Sequence, residues 1–438
     1  MNKLFRAYTL IDRPVLQIVS GIFFLQLINT SFFLILNLML RKQGYPDSEI
    51  AELVSYRFMG TLALAFPTGL LIRGRRLKPF FLIAGAGLPI ASWFVLEMIR
   101  LDHLSMAKTL LFVWGILFMF VQVCALPFII RNTRFRLQSE AITLNYAMYS
   151  LGQIFSGLMI SGMISAEAFE WGDYRYEFTD LNILKLISVL GIISFFSILP
   201  AKEKLDQPEV KVNFIQFHRE LGRYDWKLIF YAMIPTFLLS TGAGLTIPFI
   251  NLFFNAVFGM DSDAFSEMGS VAAVLVFGGA TLVPYIKRKF GFEIAITLSQ
   301  TLAVIFLIIM AATEWVSDWP GMIWVAIFCF LLRQPLMNMA APMTSELTMT
   351  FVGERNRELM SSLIASIWSG AYVISAKIFQ WLRGNQLPYY SVLLITAALY
   401  AVGVVAYYMI IRANRRKQKH LALIQARSNR TSITGIQA

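Results

Sequence analysis

Long apolar runs separated by short polar gaps fill the chain from residue 15 to residue 411. Each of these runs holds about 20 or more mostly apolar residues, the length that an α-helix needs to cross a bilayer. The pattern predicts an all-α polytopic membrane protein with twelve transmembrane helices. Their predicted ranges are 15–40, 50–72, 79–99, 106–130, 139–165, 181–200, 226–257, 264–286, 291–313, 320–347, 358–383 and 388–411.

Positive residues alternate between the gaps. Of the 38 lysines and arginines, 28 lie at the chain ends and in every second gap, whereas 6 lie in the intervening gaps. Cytoplasmic loops of membrane proteins carry such an excess. Both termini are therefore predicted to be cytoplasmic, and we expect an integral protein of a bacterial inner membrane. The remaining four cations fall inside predicted helices, where a charge is costly and usually functional. They are Arg57, Lys185, Arg333 and Lys377.

Composition excludes several other classes of protein. With 57% hydrophobic and 15% charged residues, the chain is too apolar for a soluble protein of this length. The net charge of +12 lies in short loops beside membrane segments, which favours contact with anionic lipid over nucleic acid. Cys124 and Cys329 both lie in apolar runs, so no disulfide, metal or other cofactor is expected. Because no His, Cys or carboxylate cluster is present, we do not expect an enzyme.

The two halves of the chain look duplicated. Asn37-Leu38, followed by acidic residues and a basic cluster, is echoed by Asn251-Leu252 with the same sequence of features. A repeat of two six-helix units is a transporter architecture, with the ligand between the units near the membrane midplane. The predicted units are an N-terminal half at 1–200 and a C-terminal half at 226–411. They are joined by a cytoplasmic linker at 201–225 and followed by a basic, partly disordered tail at 412–438.

A basic turn follows predicted helices 2 and 8. With this turn, twelve helices, the linker and the repeat, the chain resembles the major facilitator superfamily over nearly its whole length. That family usually carries an aspartate in the turn, where this chain has Arg73 in the first copy and Arg288 in the second. The resemblance implies a monomeric secondary transporter that works by alternating access. It also places Arg73 and Arg288 at a cytoplasmic gate, and implies a cavity lined mainly by helices 1, 4, 7 and 10.

Arg333 is the sharpest candidate for a substrate-binding residue. It lies roughly 20 Å along its predicted helix from Pro320, at about 1.5 Å per residue, and therefore near the bilayer centre. A guanidinium offers a fixed fork of donors that suits a carboxylate or phosphate. The alternative is a structural arginine that binds carbonyls beside Pro335.

Polar residues on the cavity-lining helices complete the candidate substrate site. Such amides can also bridge neighbouring helices, so both roles stay open for each of them. The candidates are Gln334, Asn338, Asn37, Asn251, Gln122 and Gln26.

Arg57 and Lys377 are candidates for an outward gate, because helices 2 and 11 meet across the halves in the family. Glu97, near the outer end of helix 3, is a candidate partner for one of them. Each cation can instead extend its charged end to the membrane interface.

The substrate is predicted to be a small organic solute, anionic or amphipathic. The interiors of predicted helices 1, 4, 7 and 8 carry no Asp or Glu, which disfavours a buried proton relay. Facilitated diffusion or exchange fits better. Two alternatives remain open, an exporter of hydrophobic or cationic compounds and a non-transporting receptor on a carrier fold.

Overall fold

The computed structural model describes residues 11–72, 75–134, 137–171, 174–203, 224–353 and 356–434. Arg73 and most of the predicted linker at 201–225 lie outside these residues. The side chain of Arg288 is likewise not described. The predicted boundaries of the two halves therefore stay predictions.

The described residues are mostly helical, and the helices follow the predicted apolar runs. We number them in chain order. They are α1 Arg13–Lys42, α2 Asp47–Leu71, α3 Lys78–Arg100, α4 Leu104–Asn132, α5 Gln138–Ala166, α6 Asp180–Ile198, α7 Trp226–Phe258, α8 262–290, α9 292–312, α10 Met322–Val352, α11 Arg357–Gly384 and α12 Tyr389–Thr434.

Two features interrupt this regular order. Helices α8 and α9 form one continuous stretch, Ser262–Ala312, that is broken at Gly291 by a positive φ of 73°. Glycine adopts this backbone geometry without the steric cost that a Cβ atom would add. Between α5 and α6, β1 (Ala168–Trp171) pairs antiparallel with β2 (Tyr174–Glu177).

Nine helical segments of the described residues are long and apolar enough to cross a membrane by length and composition. They agree with a polytopic membrane protein, while the total of twelve crossings stays a prediction. We call α1–α6 the N half and α7–α12 the C half. The end of the bundle opposite the two chain termini is called the distal end.

Glycines bring α2 and α4 into direct backbone contact within the N half. A methyl group on Gly60 would lie 1.9 Å from the carbonyl oxygen of Phe112, and one on Gly115 would lie 2.0 Å from that of Arg57. Small residues allow this close approach in membrane helices, where packing is a main source of association. The contact fixes Arg57 in the interior of the N half.

Helices α1 and α7 each lose regular α-helical geometry near the same point of the repeat. Helix α1 contains a π-helical turn at Phe32–Leu36, and α7 contains a 3₁₀ turn at Ile247–Phe249. Such irregular turns change the usual backbone pairing and often mark functional positions. Both lie just before the asparagines, Asn37 and Asn251, that the sequence identifies as equivalent.

The halves contact each other through α2 with α11, through α5 with α8 and through the distal parts of α1 and α7. The ring of Phe58 on α2 lies 4.9 Å from that of Tyr372 on α11, centroid to centroid. On the other side, Ser161 of α5 donates to Glu267 of α8 at 2.7 Å. These contacts join the halves from the middle of the bundle to its distal end.

The described part of the tail is helical, and partial disorder of the tail stays a prediction. Helix α12 continues without interruption through the basic segment to Thr434. The stretch from 412 to 427 is rich in Ala, Leu, Gln, Lys and Arg, which lose little side-chain freedom in a helix. High intrinsic helix propensity therefore explains a helix here, although polarity suggested a disordered segment.

Candidate functional site

A cavity of about 330 Å³ lies between the two halves near the middle of the bundle, and we call it the central cavity. Both halves contribute polar side chains to its wall. They are Asn29 and Thr30 from α1, Gln153 from α5, Gln334 and Asn338 from α10, and Tyr372 from α11. Position and lining are those of a site that can be exposed to either side by movement of the halves.

Arg57 lies behind the N-half wall of this cavity. Its guanidinium donates to the side-chain oxygen of Asn29 and lies 4.3 Å from the ring centroid of Phe33 and 4.1 Å from that of Trp114. The residue is only 6% exposed, and within the described part of the chain no carboxylate forms a salt bridge with it. Aromatic faces attract a cation but do not neutralise its charge.

Arg333 occupies the corresponding depth in the C half and is 1% exposed. One of its terminal nitrogens donates to the Tyr400 hydroxyl at 3.2 Å, while its Nε has no hydrogen-bond partner among the described residues. The expectation of a deeply buried arginine is confirmed. The hydrogen bond observed for Arg333 goes to Tyr400. The structural alternative required bonds to the carbonyls beside Pro335.

Tyr372 of α11 lines the central cavity and lies near both Arg57 and Arg333. Removing one ion from water costs several kcal/mol, and only a nearby opposite charge or dense hydrogen bonding offsets that cost. The burial of these two cations is therefore not offset by a described carboxylate partner.

The other predicted substrate ligands separate into three groups. Gln334 and Asn338 line the central cavity, as expected from their position beside Arg333. Gln26 is buried behind the wall, where it donates to Thr30 and accepts from Asn29, both at 3.2 Å. Gln122 is exposed on α4 and does not line the central cavity.

Asn37 and Asn251 bind each other's helices at the distal side of the cavity. Asn37 donates to the Pro248 carbonyl at 2.6 Å, and Asn251 donates to the Leu34 carbonyl at 3.1 Å. Each amide thus reaches the carbonyl three residues before the other asparagine, within the irregular turns of α1 and α7. In this conformation they join the two halves and are not free for substrate, which is the bridging role left open by the sequence.

A network of charged and polar groups closes the distal end beyond these asparagines. Asp47 at the start of α2 accepts from Arg41, from Arg383 at 2.8 Å and from the Tyr389 hydroxyl. Arg41 also donates to the Leu252 carbonyl at 2.8 Å. We call Arg41, Asp47, Arg383 and Tyr389 the distal latch. It joins α1 and α2 of the N half to α11 and α12 of the C half.

Sequence reasoning did not identify the distal latch. Its members lie at helix ends up to 348 positions apart, where charged residues normally face solvent. One signal was available, because Arg41 and Arg383 are two of the few cations in gaps otherwise depleted of positive charge.

The predicted gate around Glu97 is wrong in its pairing. Glu97 binds Lys185 on α6 and Arg100 on its own helix, so neither Arg57 nor Lys377 is its partner. Because Lys185 and Arg100 already neutralise the Glu97 carboxylate, it needs no cation from the other side of the bundle. Lys377 is exposed on α11 and donates to Gln380 at 3.0 Å, on the same helix.

Gly157 on α5 provides a test of the closed distal contact. A methyl group there would lie 2.4 Å from the Ser266 carbonyl oxygen on α8, closer than van der Waals contact permits. We expect Gly157→Ala to push α5 and α8 apart and favour opening of the distal end. Gly162→Ala, on the same helix with nothing within 4 Å, is the matched control.

The measurement for Gly157→Ala is labelling by a membrane-impermeant maleimide of a cysteine introduced at Ala273, which lines the central cavity. Cys124 and Cys329 are first replaced. Faster labelling from the distal side in Gly157→Ala than in Gly162→Ala is expected. Equal rates in the two variants would show that the α5–α8 contact does not hold this end closed.

Metal chemistry has no evident site in the described part of the chain. Within it, no group of three or more His, Cys, Asp and Glu side chains is placed to hold a metal ion. The polar lining of the central cavity consists of amides and hydroxyls, which can donate and accept hydrogen bonds.

Known structures share the fold at low sequence identity. A bacterial homologue of the iron transporter ferroportin in an inward-facing state superposes with a TM-score of 0.68 and 13% identity, covering 91% of this chain and 98% of that one. The nucleoside transporter NupG gives 0.69 and 12% identity, covering 91% and 99%. The D-xylose–proton symporter gives 0.68 and 14%, covering 90% and 95%.

The ferroportin homologue in its outward-facing state superposes with a TM-score of 0.61 and 13% identity, covering 92% of this chain and 100% of that one. No curated protein sequence matches the chain. Residues 18–376 match the family profile of the Major Facilitator Superfamily. The chain is therefore an integral membrane protein that belongs to the major facilitator superfamily, a family of membrane transporters.

Proposed function

We propose that the protein is a secondary transporter of a small organic anion, which binds in the central cavity between Arg57 and Arg333. The observation that carries this proposal is the pair of buried guanidinium groups, one in each half, without a described carboxylate partner. An anion near both arginines lowers the free-energy cost of their burial, and charge-assisted hydrogen bonds from the protein can hold it. The same charges oppose a cation, which weighs against the exporter of cationic compounds.

The arrangement of contacts supports alternating access. The distal latch and the Asn37–Asn251 contact join the halves at one end, so opening that end requires both to break. Positive residues concentrate toward the opposite end, which predicts that it faces the cytoplasm of a bacterial inner membrane. The conformation then corresponds to a carrier closed to the outside.

Coupling to protons is not part of the proposal. No Asp, Glu or His lines the central cavity among the described residues, so no group there titrates near neutral pH. Exchange of one anion for another, or facilitated diffusion, needs only the hydrogen-bonding groups and the two arginines.

Counterflow in proteoliposomes tests this function. Liposomes loaded with a carboxylate such as lactate are expected to accumulate the same labelled carboxylate, with and without a pH gradient, whereas lactamide and xylose are not accumulated. Accumulation of neutral solutes but of no organic anion would overturn the proposal. Binding of the anion without flux would indicate a receptor.

A further inference from the structure

A second cavity, of about 150 Å³, lies wholly within the C half and is called the side cavity. Helices α7, α9, α10, α11 and α12 all contribute to its wall. Its wall shares Gln334, Asn338 and Ile247 with the wall of the central cavity, so the two cavities are neighbours. Where these side chains move aside, a solute in the central cavity can extend one end into the C half.

Two residues that line the side cavity each carry a buried polar atom without a hydrogen-bond partner among the described residues, and the two atoms are of opposite hydrogen-bonding character. The Nε of Arg333 is a donor, and the Oε1 of Gln300 on α9 is an acceptor. Their residues are 1% and 2% exposed. A buried polar atom without a hydrogen bond costs about 1–3 kcal/mol of stability. A ligand that hydrogen-bonds to both atoms removes this cost at each of them.

Several other polar groups around the cavity have partners or offer only a hydroxyl. Thr236 and the Tyr407 hydroxyl are 3.1 Å apart, and the Tyr400 hydroxyl accepts from Arg333. The Thr348 hydroxyl has no partner among the described residues and can donate or accept. The complementary ligand must therefore bring an acceptor to Arg333 and a donor to Gln300. A carboxylate supplies the first, since it matches the guanidinium in charge and geometry.

The donor is best supplied by a hydroxyl group. No Asp or Glu lines the side cavity among the described residues, so an ammonium group would be buried beside Arg333 with no negative charge of the protein. A hydroxyl needs only the single acceptor that Gln300 offers. The apolar part of the wall, which includes Leu239, Met337 and Trp368, suits a short carbon chain.

We propose that the side cavity is the subsite for the head of a hydroxycarboxylate, with its carboxylate on Arg333 and its hydroxyl on Gln300. This inference rests on the proposed transport of an organic anion and specifies its class. Arg333 is the one cation that lines this cavity among the described residues, so the subsite takes one carboxylate. The rest of the solute occupies the central cavity beside Gln334 and Asn338.

The test compares acids of equal chain length that differ in one hydroxyl. Binding of lactate and propionate, and of 3-hydroxybutyrate and butyrate, is measured by titration calorimetry on the full chain in detergent. In the wild type, at least one hydroxy acid is expected to bind about tenfold more tightly than its parent, the contribution of one buried hydrogen bond. Gln300→Met keeps the side-chain length, and should bring that ratio to within about twofold.

A matched variant on the same helix separates this effect from general damage. Ser299→Ala removes a buried side-chain hydrogen bond to the Ala295 carbonyl, next to Gln300 but outside the side cavity. It should retain the wild-type ratio. Equal affinities of hydroxy and parent acids in the wild type, or an unchanged ratio in Gln300→Met, would overturn the subsite but not anion transport. Failure of every carboxylate to bind would overturn both.

Discussion

Replacing Arg333 with glutamine is expected to lower the affinity for the transported anion at least about 100-fold and to abolish its counterflow. Removing one partner of a buried, hydrogen-bonded ion pair typically costs about 2–5 kcal/mol, because the remaining charge stays buried without compensation. Arg333→Lys retains the charge but loses the planar fork of donors and the Nε group. An intermediate affinity is therefore expected for lysine.

Thermal unfolding distinguishes this role from a purely structural one. Without ligand, Arg333 is a buried cation whose Nε has no described partner, so its neutralisation should leave the melting temperature unchanged or raise it. A structural arginine would give the opposite result. Arg175→Gln, which neutralises a charge in the exposed β-hairpin, is the control for expression and insertion. Loss of stability in Arg333→Gln with normal anion affinity would contradict the proposed site.

Asp47→Asn is expected to open the distal end. The carboxylate is 8% exposed and accepts from two arginines and a tyrosine, so its loss leaves Arg41 and Arg383 partly buried without their anion. Because both arginines retain about a fifth of their exposure, water compensates part of this loss. We expect a cost of about 2 kcal/mol to the closed state, roughly a thirtyfold shift toward the distally open state.

Labelling of a cysteine at Ala272 from the distal side measures this shift, again with both native cysteines replaced. Ala272 lines the central cavity and is buried behind the closed distal end. The matched control is Asp102→Asn, since Asp102 is a distal carboxylate that accepts from Tyr45 within the N half. Faster labelling in Asp47→Asn alone is the expected result. A similar rise in both variants would mean that distal charge, and not the distal latch, controls access.

The sequence predicted the helices and the burial of Arg333 because both depend on local properties. An apolar run of sufficient length becomes a helix in a bilayer whatever its neighbours are. An arginine placed centrally in such a run is deep wherever the helix packs. Arg57 followed the same rule, and its burial against Phe33 and Trp114 shows that extension to the interface does not occur.

The partners of these side chains could not be predicted in the same way. An asparagine on a helix face gives the same sequence pattern whether its side chain lines a cavity or bonds to another helix. Asn37 and Asn251 reach each other's helices only because α1 and α7 are irregular beside them. Glu97 was assigned to distant cations, whereas Lys185 on α6 was closer once the helices packed. Gln300 was not singled out, because nothing local marks an amide whose oxygen lacks a partner.

We expect the two buried arginines to select a negative charge. The most direct test of this selection is the ratio of affinities for a carboxylate and its neutral amide, such as lactate and lactamide, in the wild type and in the Arg57→Gln, Arg333→Gln double variant. A ratio of at least about 100 in the wild type and close to one in the double variant is predicted. Equal affinity of the wild type for the carboxylate and the amide would contradict the account.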